Sequence, residues 1–129
     1  MTTSQPAPAA PPTSSAEELL RGVAAHGLPG HAERITDDPP DPATWTTLLG
    51  RVAHQRVPGL LMAAVDAGAL PVTDQQRDEV RDVHLGACTS VLRLEQRLVE
   101  LVDHLEAADI EVVALTGSAH AHLAYPDPA

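Results

Sequence analysis

The sequence predicts a mostly α protein: a helical bundle with one long helix, followed by a single strand, a turn and a short helix that would begin an α/β sheet. Three observations predict it. Apolar residues recur at helical spacing, with capping residues ahead of them, from Ser15 to Leu105. From Thr73 to Asp109 there is no Pro, and Gly86 is the one Gly. At Ile110 the pattern changes to a short run rich in β-branched residues.

Each element follows from local chemistry. Residues 1–14 are mostly Pro, Ala, Ser and Thr without periodicity, a composition that cannot bury a face and predicts a disordered tail. Residues 15–108 read as the helical region. Ser15 ahead of Glu17 and Glu18 is a helix start, Leu19, Leu20 and Val23 supply an apolar face, and Gly27 is a stop. Residues 28–43 carry four prolines, Gly30 and the acidic pair Asp37-Asp38, and read as a loop. Asp41 then precedes Pro42, a residue tolerated in the first helical turn. Trp45, Leu48, Leu49, Val52 and Ala53 keep helical spacing until Pro58 breaks it. A third helix over 58–67 carries Leu60, Leu61, Ala64 and Val65, and Gly68 closes it.

Thr73 can cap the longest element. Val80, His84, Ala87, Val91, Leu94, Leu98, Leu101 and Leu105 alternate steps of four and three, a heptad-like stripe. Leu85, Leu92, Val99 and Val102 widen the apolar face beyond a narrow seam. That width predicts a helix packing on neighbours within the chain in preference to a two-stranded coiled coil.

Composition limits the function classes. Net charge is −10; all eight basic residues are Arg and they are scattered, so the basic stripe of a nucleic-acid binder is missing. Cys88 is the only cysteine, which rules out an internal disulfide and fits a reducing, cytoplasmic setting. The first residues have neither the basic nor the apolar segment of a secretory signal, and no apolar run is long enough to predict a membrane span.

The final stretch, 109–129, holds the residues closest to a recognisable chemistry. Ile110 to Leu115 reads as a strand buried on both faces. Thr116-Gly117-Ser118 reads as a turn, and Ala119 to Ala124 as one or two helical turns ended by Tyr125-Pro126-Asp127-Pro128. Gly117 permits close approach of a ligand, and Ser118 stands where a helix N-terminus would offer free N–H groups to phosphate. The same residues also make an ordinary capped strand-to-helix turn. A lone strand has an unpaired edge, so the chain is expected to self-associate or to dock with a missing catalytic half.

The run Val112-Val113-Ala114-Leu115-Thr116-Gly117-Ser118, continuing through Tyr125-Pro126-Asp127-Pro128, resembles the uncharacterised nucleotidyltransferase family of the DNA polymerase β superfamily. In that family a strand ends in Leu-Lys-Gly and leads to a small-residue helix and a Tyr-Pro-Asp-Pro-like turn. Trp45-Thr46-Thr47-Leu48-Leu49, Ala53-His54-Gln55-Arg56-Val57-Pro58-Gly59-Leu60-Leu61 and the long helix running into the strand are similar as well. The likeness spans residues 43–128. It implies Mg²⁺-dependent nucleotidyl transfer from an NTP, with Gly117 and Ser118 at the nucleotide phosphates. Two metal ions held by an Asp-x-Asp pair would clamp the attacking and leaving oxygens. Two departures bear on this. Thr116 stands where the family often has Lys, and a hydroxyl does not replace a charged phosphate contact. The carboxylate pair would follow Pro128, whereas the sequence stops at Ala129. The expectation is therefore the N-terminal portion of such a protein, with no catalytic residue, no metal ligand and no tight cofactor binding of its own. The alternative is a non-catalytic helical protein-interaction module.

Other chemistry-bearing residues read as structural. His120 and His122 are two apart and diverge on a helix, whereas His84 and Cys88, four apart, share a face. Two ligands make half a metal site, so His84 is expected in the core and Cys88 as a buried, inert thiol. Ser118 lacks a nucleophile elbow because residue 120 is His. The alternation of Arg77, Asp78, Arg81 and Asp82 reads as a solvated helix face.

Overall fold

The computed structural model describes residues 14–114 and Gly117. Within them the chain is helical, with α1 over Ala16–Ala25, α2 over Pro42–Gln55, α3 over Pro58–Asp66 and α4 over Asp74–Ala107. The expected mostly α character and the one long helix are both present. Two compact units divide between Arg77 and Asp78, inside α4.

The starts of the helices follow their caps. The Ser15 hydroxyl accepts from the Glu18 amide at 3.2 Å while the Glu18 carboxylate accepts from the Ser15 amide at 2.9 Å, a complete capping box. Asp41 accepts from the amides of Ala43 and Thr44, both at 3.0 Å, and from the Thr44 hydroxyl at 2.7 Å. Thr73 and Gln76 form a second reciprocal box at the start of α4.

The stops follow from backbone geometry. Gly27 and Gly68 take φ of 80° and 73°, left-handed values that glycine adopts without a Cβ penalty. Two non-glycine residues do the same work. Arg56 has φ 58° and ends α2, with Val57 donating back to the Val52 carbonyl at 3.1 Å. Asp109 has φ 62°, and Ile110 donates to the Leu105 carbonyl at 2.9 Å.

In the first unit, α1, α2 and α3 pack on one another. Leu19 and Val23 from α1, Trp45, Leu48 and Val52 from α2, and Leu61, Ala64 and Val65 from α3 are all buried, as are Ala69 and Leu70 beyond α3. The loop between α1 and α2 is held at two points. Ile35 donates its amide to the Ala69 carbonyl at 2.8 Å. Gln76, 7% exposed, donates from its side chain to the Pro40 carbonyl at 2.8 Å. Gly22 makes room for this loop: a Cβ there would lie 2.6 Å from Cγ2 of Ile35.

Two expectations need correction. The apolar stripe of α4 is largely exposed among the described residues. Val80 is buried, but Val91, Leu94 and Leu101 are exposed, as are Leu85, Leu92 and Val99. At 34 residues and 1.5 Å per residue α4 extends about 50 Å, and helical spacing alone assigns no partner to a stripe of that length. The strand expected over Ile110 to Leu115 is also not seen among the described residues. Ile110–Ala114 is neither helix nor strand, and Val113 is 71% exposed where burial on both faces was expected. Strand geometry persists only in a ladder, and no second strand is present among the described residues to pair with it. The expected N-terminal tail, Leu115, Thr116, Ser118, the short helix over 119–124 and the turn at 125–128 lie outside the described residues, apart from Ser14.

Candidate functional site

The turn after α4 is the candidate that the sequence singles out. Gly117 is exposed, with φ 80° and no atom within 4 Å of where a Cβ would sit. A side chain would therefore meet open space but a strained backbone, so glycine is there for conformation and not for packing. Ser118, its expected partner at a phosphate, lies outside the described residues.

A metal at this site would need converging carboxylates. Among the described residues, no group of three or more His, Cys, Asp or Glu side chains is placed to hold an ion. The described residues therefore supply no two-metal arrangement of the kind that the nucleotidyltransferase resemblance implies, and no chemical step through Mg²⁺ follows from them.

The pair His84 and Cys88 does share a face of α4. The thiol sulfur is 3.7 Å from Nε2 and 4.0 Å from Nδ1 of the imidazole. Both residues are half-buried, so Cys88 is more accessible than the inert core thiol expected. The polar residues around them, Thr89 and Ser90, turn their hydroxyls back to the carbonyls of Leu85 and Gly86 at 2.9 Å. They add no third ligand.

An open groove of about 300 Å³ lies between α1 and the following loop, bordered by Glu18, Arg21, His31, Arg34 and Ile35. Its charged groups are already engaged: Glu18 caps α1, Arg21 pairs with Glu17, and Arg34 lies 3.4 Å from Asp37. These are exposed pairs that contribute little, and no acid–base couple converges on the groove. The Asp41 carboxylate is held below its ordinary range, through the Thr44 hydroxyl first and the Thr44 and Ala43 amides next, which is helix capping and not catalysis. The alternation at Arg77 to Asp82 is a solvated face as read, with Arg77 3.3 Å from Asp66 and Arg81 3.7 Å from Asp78.

Sequence reasoning missed the tie between Gln76 and Pro40. The capping-box spacing of Thr73 and Gln76 was a usable signal for half of it, but nothing local announces a partner 36 residues away.

Comparison with known protein families, curated proteins and solved structures gives no match. No helix among the described residues is long and apolar enough to cross a membrane.

Proposed function

We propose that this chain is the helical N-terminal part of a nucleotidyltransferase-like protein whose family moves a nucleotidyl group from an NTP with Mg²⁺. The observation that best supports the reading is order along the chain. A helix opening at Pro42, a second at Pro58 and the long α4 precede a left-handed glycine, Gly117, the residue that the sequence resemblance aligns with the family's phosphate turn. The sequence beyond Ser118 holds one acidic residue, Asp127, so the 129-residue chain by itself transfers no nucleotide. Incubation of the purified chain with Mg²⁺ and each NTP should leave the nucleotides intact, and measurable transfer would overturn that statement. The family reading is tested on the reading frame past codon 129. An Asp-x-Asp pair shortly downstream, with Mg²⁺-dependent pyrophosphate release that Gly117→Val abolishes, supports it. A frame without paired carboxylates, or an active protein indifferent to Gly117→Val, rejects it.

A second reading, a helical protein-interaction module, is favoured by a separate observation. Val91, Leu94 and Leu101 on α4 are 45%, 68% and 55% exposed along one row, and contiguous exposed apolar surface marks a contact face.

A further inference from the structure

α4 carries two exposed apolar rows, and they differ in pattern. One is Leu85, Leu92 and Val99, spaced by seven. The other is the seam Ala87, Val91, Leu94, Leu98, Leu101 and Leu105, stepping four and three without a polar residue. On this seam Val91, Leu94 and Leu101 are exposed, and Ala87, Leu98 and Leu105 are half-buried. Only the second row has the spacing that lets knobs of one helix enter holes of another.

We propose that α4 pairs with α4 of a second copy of this chain along the seam from Ala87 to Leu105. The inference rests on the interaction-module reading and names the occupant of the face. Three features argue for a second copy. A heptad seam fits a helix with the same repeat, and the chain supplies that helix itself. No Gly or Pro interrupts α4 after Gly86, so the seam continues straight through its heptads. The area is also sufficient. The seam leaves on the order of 400 Å² of apolar surface in water per copy; at the usual apolar share of just over half, pairing covers about 1,400 Å² in total, a specific-interface size.

The charges are compatible with pairing but do not drive it. The positions beside the seam are Cys88, Glu95 and Val102 on one edge and Ser90, Arg97 and His104 on the other. With −10 on each copy, repulsion opposes association. Added salt should therefore tighten the dimer, whereas an interface made of ion pairs would loosen.

Sedimentation equilibrium of the full chain tests the pairing. A monomer–dimer equilibrium is expected, tightened by NaCl. Leu94→Glu and Leu101→Glu should each raise the dissociation constant by about tenfold or more, because each buries a charge in the seam. Leu92→Glu, on the other row, should leave it unchanged. All three positions are exposed, and far-UV circular dichroism at low concentration checks that the variants keep their helix. A monomer at the highest soluble concentration, or a dimer weakened equally by Leu92→Glu, overturns the proposal. Thiol-reagent labelling of Leu94→Cys in a Cys88→Ser background separates the two readings. Fast labelling of a monomer rejects self-pairing alone, and slow labelling of a monomer rejects the exposed face itself.

Discussion

Replacing Gln76 by Met should destabilise the first unit by about 1.5–4 kcal/mol. The residue is 7% exposed and its side chain makes two bonds, donating to the Pro40 carbonyl at 2.8 Å and accepting from the Thr73 amide at 2.9 Å. Methionine keeps the length and removes both. The buried Pro40 carbonyl then loses its donor, which costs about 1–3 kcal/mol. The Thr73 amide loses its half of the capping box, about 0.5–1 kcal/mol. Urea unfolding followed by tryptophan fluorescence is a direct assay, since Trp45 is the only Trp and is buried in the same unit. Gln76→Glu separates the two bonds. It keeps the capping acceptor but, when ionised, sets a carboxylate against the Pro40 carbonyl. Protonation restores a donor, so the folded-state pKa of the introduced carboxyl should be raised. A raised carboxyl contributes more stability to the variant as pH falls, and the gap to the parent should narrow below about pH 5. A loss under 0.5 kcal/mol for Gln76→Met, below the range of an orphaned buried carbonyl, or a Gln76→Glu deficit independent of pH, would refute the reasoning.

Two further outcomes are expected. Gly22→Ala should gain about 1 kcal/mol of helix propensity and still come out destabilised, because the new Cβ meets Cγ2 of Ile35 at 2.6 Å; a double-mutant cycle with Ile35→Ala should reverse the sign, and simple additivity would contradict the contact. Asp41→Ala should destabilise α2 at neutral pH through loss of its N-cap. Asp41 is held below its ordinary value, so its contribution is full above about pH 4 and fades as acid protonates it, and urea midpoints of parent and variant should converge there.

The helices were legible in the sequence because their ends are written locally. Ser15 with Glu18, Asp41 with Pro42, and Thr73 with Gln76 specify starts within four residues, and Gly27, Pro58 and Gly68 specify stops. Arg56 and Asp109 were not legible, since a left-handed non-glycine is chosen by the surrounding chain and not by its own preference. The segment after Ala107 was misread for the opposite reason. Val112 and Val113 have strand propensity, but propensity does not supply a pairing partner. For the same reason the stripe on α4 could be counted from the sequence while its exposure could not. Spacing says that a face will be covered and does not say by what. The candidate site was legible only as Gly117, where a positive φ demands what the residue offers.

The Thr73–Gln76 box has a consequence for how α4 forms. Starting a helix is its costly step, since the first turn fixes several residues for a single bond, whereas each later residue adds a bond of its own. Here the first turn of α4 is fixed by the buried tie to Pro40, so the nucleus is assembled along with the first unit. The rest of the helix need only propagate from it. In the monomer, at concentrations too low for α4 to pair, protection of the α4 amides against exchange should then decline from Val80 toward Ala107, with the far end fraying first.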